Sequence, residues 1–193
     1  VSADHQNKGD ISSNKAREWF EKDKVDVVTE LVTTSTALAV MKIAKEKNKI
    51  ALISGAASTR ITNEDCNDVT VHWTSDTYAV ANGTAKAVVK QGGKSWFFLT
   101  ADYAFGHSLE KDAGDVVKAN GGTVLGAVRH PFPGTDFSSF LLKAQASGAR
   151  HRAHRGELAH AALAGAHGGR RVALRELDRV VPLLDAEVDV LRG

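Results

Sequence analysis

Short apolar runs alternate with segments of helical periodicity along residues 1–149 of this 193-residue chain. The runs at 50–53 (IALI) and 95–100 (SWFFLT) are almost continuously apolar, which is typical of strands covered on both faces. The segments at 36–47 and 76–90 carry apolar residues at three- and four-residue spacing, which predicts amphipathic helices. The alternation therefore predicts an α/β fold with mostly parallel sheets and right-handed crossovers.

Capping residues mark where two of these helices begin. Residues 11–23 have helical periodicity, with Ser12 or Ser13 available as the N-cap. Asp76 is the predicted N-cap of a helix that runs to about Lys90, where two glycines end it. Both assignments rest on residue types that accept hydrogen bonds from a helix's first amide groups.

The composition changes abruptly near residue 149. Residues 1–149 contain 14 Lys, 3 Arg and every aromatic residue, whereas residues 150–193 contain 8 Arg and neither Lys nor aromatic residues. Two explanations fit this change: a separate basic module rich in Ala, Leu and Arg, or a reading-frame slip in a GC-rich gene. Because the break falls inside a predicted structural unit rather than in a linker, we expect residues 150–193 to be out of frame or unrelated.

Composition and motifs exclude several classes of function. The formal net charge is only +2, and acidic residues interleave with the arginines after residue 149, so no nucleic-acid partner is predicted. No run of about 18 apolar residues occurs, so we predict no membrane-spanning helix. Cys66 is the single cysteine, and the histidines after residue 149 do not by themselves predict a metal site. Neither phosphate-binding glycine motif is present, so we predict no cofactor and no metal.

Three predicted strands are followed by loops suited to binding an anion. The loops are 33–36 (TTST), 54–58 (SGAAS) and 102–106 (DYAFG). Ligands of parallel sheets bind at the carboxyl ends of the strands, where helix N-termini present backbone N–H groups. Hydroxyl groups at these positions favour a binding site for a carboxylate, called the carboxylate seat below. The alternative is that they only cap the helices that follow.

Five stretches carry a family resemblance in their order and spacing. They resemble the solute-binding proteins of branched-chain amino acid type ABC transporters, which have the type I periplasmic binding fold. The stretches are DKVDVVTELVTTSTALAV (23–40), EKNKIALISGAAS (46–58), HWTSDTYAVANGTAKAVVKQGG (72–93), WFFLTADYAFGHSLE (96–110) and DFSSFLLKAQASGA (136–149). The resemblance ends at residue 149.

The resemblance implies two lobes joined by crossover strands, with the ligand in the cleft between them. Residues 1–92 would form a partial lobe 1 whose first strand and helix are missing, and residues 93–149 would begin a partial lobe 2. The family's third lobe-2 strand would follow residue 149, where this chain has RHRAHRGEL instead. Residues 150–193 would therefore have no counterpart in the family, and the two-lobe architecture would be incomplete.

The resemblance also implies which residues contact the ligand. The ligand's carboxylate and amino groups would meet the hydroxyls and backbone of four consecutive residues and of the second loop. These residues are Thr33, Thr34, Ser35 and Thr36, with Ala57 and Ser58 in the second loop.

Two aromatic residues extend the site that the resemblance implies. Phe105 matches a position where the family often has an aromatic residue packing on the ligand. Trp73 stands where many members have Arg. It either lines the pocket, favouring an apolar or aromatic ligand, or belongs to the core of its lobe.

We therefore predict a non-enzymatic solute-binding protein that delivers an amino acid, or a small carboxylate or amide, to the permease of an ABC importer. We expect it to be periplasmic or extracytoplasmic, although the sequence from Val1 carries no export signal. One alternative is a ligand-sensing domain of a regulator or receptor on the same fold. Another is a flavodoxin-like or hydrolase α/β enzyme. Asp102, His107 and Ser108 have the residue types of an acid–base–nucleophile triad, but they are too close in sequence to form one.

Overall fold

The strands of this computed structural model form two separate parallel sheets. Residues 1–132 and 136–149 are described, together with the backbone of 151–154. The first sheet has the order β1-β2-β3 and the second the order β5-β4-β6. The strands are β1 (Val27–Val28), β2 (Ile50–Ile53), β3 (Thr70–His72), β4 (Ser95–Ala101), β5 (Thr123–His130) and β6 (His151–His154). All described pairings are parallel, which confirms the predicted α/β class.

An α-helix precedes β1 and another connects each pair of consecutive strands except β2 and β3. The helices are α1 (Gly9–Glu21), α2 (Thr34–Lys47), α3 (Thr77–Lys90), α4 (Ala104–Ala119) and α5 (Ser138–Ala146), with a short 3₁₀ turn at Thr59–Ile61. Asp76 caps α3 as predicted, because its side chain accepts a hydrogen bond from the amide of Ala79 at 2.8 Å. The cap predicted for α1 is wrong: Lys8 holds the N-cap position, and the Ser12 hydroxyl donates to the carbonyl of Gly9 inside the helix.

The first sheet is covered on one face only within the described residues. Helices α1 and α2 bury Ala51 and Ile53 of β2. The alternate residues Ile50 and Leu52 are exposed, so the expectation that this strand is covered on both faces is wrong here. Register places Leu52 beside Val71, which extends the exposed apolar face across two strands.

The second sheet is covered on both faces of its central strand. Trp96 and Phe98 of β4 pack with α3 and α4, whereas Phe97 points to the other face and packs with Ala144 of α5. Every residue of β4 after Ser95 is buried. A continuous apolar run therefore forms a doubly covered strand in this half of the molecule, as the sequence predicts.

Helix α3, which precedes the predicted boundary at residue 92, has buried side chains in the apolar cluster of the second sheet. Ala81, Ala85 and Val88 of α3 belong to the same apolar cluster as Trp96 of β4. The cluster around the first sheet ends with residues that precede α3. Helix α3 thus packs with the second sheet, because its small and branched residues face β4 and α4.

A third strand in the second sheet follows residue 149. Strand β6 pairs with β4 in parallel, from Trp96 opposite His151 to Leu99 opposite His154. The expectation that this sheet lacks its third strand is therefore wrong for residues 151–154. The remainder of the predicted unrelated segment, residues 155–193, lies outside the described residues.

Candidate functional site

The loops after β1 and β2 are in direct contact. The amide of Ala56 donates to the carbonyl of Leu31 at 2.9 Å. A Cβ at Gly55 would lie 2.9 Å from the Cα of Val32, closer than real Cβ atoms approach. Glycine at 55 therefore lets the backbones of the two loops meet, and it brings the hydroxyl-bearing segments predicted from sequence to one edge of the first sheet.

Two of the four hydroxyls at the start of α2 bond to each other. The Thr36 hydroxyl donates to the carbonyl of Thr33 at 2.9 Å, and the two Oγ1 atoms are 2.9 Å apart. Since a hydroxyl has one proton, Thr33 is then the donor to Thr36. The Thr33 side chain does not cap the backbone amides of the helix. Capping by this residue, the alternative reading of the loop, is therefore not observed.

The other two hydroxyls are without a partner within the described residues. Thr34 is 1 % exposed, and its Oγ1 is buried without a hydrogen bond. Ser35 is half-buried beside it, at the N-terminus of a 14-residue helix. A buried unpaired hydroxyl is costly, and the N-terminus of a helix carries partial positive charge. This end of α2 therefore offers donors to an anion.

The Ser58 side chain joins the two units of the structure, which are the first sheet with α1 and α2 and the second sheet with α3, α4 and α5. Ser58 is 0 % exposed, and its Oγ lies 2.6 Å from the Oγ of Ser108 on α4. The same oxygen accepts from the amide of Arg60 at 3.2 Å. Neighbouring Ala57 is half-buried, and its carbonyl accepts from the amide of Thr77 at 2.7 Å. The Ser58 hydroxyl thus joins two parts of the fold in this conformation.

Three rings gather at the carboxyl ends of β4 and β5. Tyr103 stacks on Phe132 with centroids 4.5 Å apart, and its ring lies 6.0 Å from that of Phe105. Phe105 is half-buried and packs against the second apolar cluster. The sequence predicted a role only for Phe105; the positions of Tyr103 and Phe132, each two residues after the end of a strand, are the signal that would have identified them.

Trp73 follows β3 and is 81 % exposed. The alternative that it belongs to a lobe core is therefore wrong. An indole ring on the surface at the carboxyl end of a strand is available to contact a ligand or another part of the protein.

The candidate triad does not form. His107 Nε2 lies 2.7 Å from Asp102 Oδ1, but the Ser108 hydroxyl bonds to Ser58. An acid–base pair without a nucleophile at its base cannot perform the acyl transfer of a serine hydrolase.

Similarity to known proteins decides the family. The family model of periplasmic binding proteins matches residues 1–174. The chain belongs to this family. The match continues past residue 149, where the resemblance was expected to end. The family is one of periplasmic binding proteins, which implies an extracytoplasmic location.

Solved members of the family share the fold. A periplasmic binding protein from Burkholderia mallei is 55 % identical with a TM-score of 0.77, covering 79 % of this chain and 40 % of that one. A branched-chain amino acid ABC transporter ligand-binding protein from Burkholderia xenovorans is 36 % identical with a TM-score of 0.63, covering 84 % of this chain and 44 % of that one. These structures confirm the type I periplasmic binding fold for the part that they cover.

Two other members are informative about ligands and length. An ABC transporter solute-binding protein from R. palustris, solved with 4-hydroxybenzoate, is 27 % identical with a TM-score of 0.73, covering 80 % of this chain and 42 % of that one. Leu/Ile/Val-binding protein homolog 6 from Brucella abortus is 27 % identical over 135 residues, which are 70 % of this chain and 34 % of that protein. The chain thus spans less than half the length of these relatives.

Two further properties follow from the described residues. None of their helices is both long and apolar enough to cross a membrane. In the same part of the chain, no group of three or more histidine, cysteine or acidic side chains is placed to hold a metal ion.

Proposed function

We propose that this chain forms part of a periplasmic solute-binding protein that delivers a small carboxylate, either an amino acid or an aromatic acid, to the permease of an ABC importer. The observation that carries the proposal is the buried hydroxyl of Thr34, which has no hydrogen-bond partner among the described residues, beside the half-buried hydroxyl of Ser35. Both lie at the N-terminus of α2 and next to the loop that contains Ala57. The arrangement offers a carboxylate two hydroxyl donors and the positive end of a helix.

The two sheets supply the lobes of the proposed binding protein. We assign the first sheet with α1 and α2 to lobe 1, and the second sheet with α3, α4 and α5 to lobe 2. The candidate loops of lobe 1 then adjoin the N-terminal part of α4 in lobe 2, as the Ser58–Ser108 hydrogen bond indicates. Hinge closure of the lobes on a ligand would bury most of its surface.

The aromatic residues favour an aromatic acid within this class. Tyr103, Phe105 and Phe132 place apolar ring surface at the carboxyl edge of lobe 2, and exposed Trp73 follows β3 of lobe 1. Aromatic side chains stack on aromatic ligands at centroid separations of about 4.5–7 Å. The relative solved with 4-hydroxybenzoate adds support for this ligand class.

A ligand panel tests the proposal. Thermal unfolding is followed with and without L-leucine, benzoate and 4-hydroxybenzoate, since a ligand that binds only the folded state raises the unfolding temperature. We expect one class of carboxylate to raise the midpoint in a saturable manner, and a larger effect of the benzoates would favour the aromatic acid. No shift with any member of the panel at millimolar concentration would contradict the proposal.

A further inference from the structure

Each of residues 57–59 is hydrogen-bonded to the second unit. The amide of Thr77 donates to the carbonyl of Ala57 at 2.7 Å, and Ser58 bonds to Ser108 at 2.6 Å. The Thr59 hydroxyl donates to Oδ2 of Asp112 at 3.1 Å. The loop that follows β2 of the first sheet is therefore held by the start of α3 and by one face of α4.

Asp112 is the acceptor on which two of these side chains converge. The hydroxyl of Thr77, which is fully buried, donates to the same Oδ2 at 2.5 Å. The amide of Thr59 in turn donates to Oγ1 of Thr77 at 3.2 Å. A carboxylate only accepts hydrogen bonds, so both threonine hydroxyls are oriented towards Asp112. The orientation of Thr59 thus depends on a side chain from the other unit.

Residue Asp112 lies at an open cavity rather than in an apolar core. Asp112 and Ser108 line an open cavity of about 630 Å³, together with Thr59 and Arg60 of the first unit. The apolar clusters of the two units are separate. Beside the cavity, hydrogen bonds therefore join Ser58 and Thr59 to α4.

We propose that Asp112 is a positioning residue for the ligand loop at residues 57–58. This inference rests on the proposed function, because it takes that loop to be part of the carboxylate seat. Asp112 holds Thr59 and Thr77, and through them the backbone of Ala57 and Ser58, while making no ligand contact itself. The carboxylate also couples the position of α4 to the loop, so a ligand bound at the loop favours one arrangement of the two units.

Three variants of the full chain separate positioning from general stability. Asp112→Ala removes the acceptor. Asp112→Asn keeps a carbonyl oxygen that can accept from both threonine hydroxyls, so this variant should behave like the wild type in amide exchange and in ligand binding. Asp115→Ala is the matched control, since Asp115 lies one turn further along α4 and pairs with Lys111 at the surface at 3.0 Å.

The first readout needs no ligand. Hydrogen exchange is measured for the amides of Thr59 and Arg60, whose acceptors are Thr77 Oγ1 and Ser58 Oγ. Asp112→Ala should accelerate their exchange about tenfold or more relative to the amides of β4, because the local opening no longer has to break the hydrogen bonds that the two threonine hydroxyls donate to residue 112. Asp112→Asn and Asp115→Ala should exchange at the wild-type rate.

The second readout is the Kd for L-leucine and for 4-hydroxybenzoate. Asp112→Ala should weaken binding of the probe that the wild type binds by about tenfold or more, with Asp112→Asn close to wild type. The inference would be overturned if the amides of Thr59 and Arg60 exchanged at the same rate in Asp112→Ala as in Asp115→Ala. It would also be overturned if Asp112→Ala accelerated exchange in β4 equally, because that result indicates general destabilisation. If Asp112→Ala does not fold, Thr59→Val removes one donor and should give the same local acceleration. Failure of the wild type to bind either probe would count against the proposed function, whereas the exchange measurement still decides the role of Asp112.

Discussion

The hydroxyls of Ser58 and Ser108 lie 2.6 Å apart in a buried contact between residues that are 50 positions apart in sequence. One follows β2 of the first sheet, and the other lies on α4 of the second unit. Because both side chains are buried, truncating one leaves the other hydroxyl without its partner. The contact therefore links the stability of the two units.

A double-mutant cycle should detect this link. Ser58→Ala alone should lower the free energy of unfolding by about 1–3 kcal/mol, since it leaves a buried hydroxyl unsatisfied. Ser58→Ala combined with Ser108→Ala should cost less than the sum of the single changes, with a coupling of about 1 kcal/mol. Urea unfolding measures each value. Ser13→Ala on α1, whose hydroxyl bonds to the Asp10 carbonyl at the surface, is the control. Strict additivity would show that the two hydroxyls do not interact in solution.

Gly106 should be intolerant of any side chain. A Cβ at this position would lie 2.1 Å from the carbonyl oxygen of Ala101, which is backbone and cannot yield without moving β4 or α4. Gly106→Ala should therefore destabilise the protein by about 2–4 kcal/mol in urea unfolding.

Gly83 on α3 provides a matched control for this change. A Cβ there meets nothing within 4 Å. Gly83→Ala should stabilise the protein by about 0.5–1 kcal/mol, because alanine favours the helix over glycine. If Gly106→Ala and Gly83→Ala changed the free energy of unfolding equally, α4 would not approach the end of β4 as closely as described.

Ser35 should contribute to ligand affinity and little to folding. Its hydroxyl is half-buried and without a partner in the described part of the chain, so Ser35→Ala should change the free energy of unfolding by less than about 0.5 kcal/mol. A hydrogen bond to a charged group contributes about 1.5–3 kcal/mol, so the Kd for the carboxylate should rise about tenfold or more. Titration calorimetry measures the Kd of Ser35→Ala, with Ser13→Ala as the control. Unchanged affinity would remove Ser35 from the proposed seat.

Much of the fold follows from sequence pattern because each strand and helix carries a local signal. The apolar run of β4 and the Asp76 cap of α3 were both predicted and are both observed. The start of α1 was not, because a serine in a first turn can accept from amides as a cap or donate to a preceding carbonyl, and Ser12 does the latter. Exposure of Ile50 depends on what covers the sheet, which a run of apolar residues does not specify.

The candidate site was predictable only in part for a related reason. The rule that loops gather at the carboxyl ends of parallel strands accounts for the contact of Leu31 and Val32 with Gly55 and Ala56, after β1 and β2. The direction of the Ser58 side chain depends on how α4 packs against the loop, a long-range arrangement without a local sequence signal. The stack of Tyr103 on Phe132 likewise depends on the pairing of β4 with β5.

Titration calorimetry with matched carboxylate and carboxamide ligands tests the central claim, a seat for a carboxylate at the N-terminus of α2. Benzoate and benzamide have nearly the same shape, and so do L-leucine and L-leucinamide, but only the first of each pair carries the anion. We expect saturable binding of at least one carboxylate, with its amide weaker by about tenfold or more, because the amide lacks the charge that the helix N-terminus and the hydroxyls favour. Equal affinity for the acid and the amide, or no binding of either acid, would contradict the account.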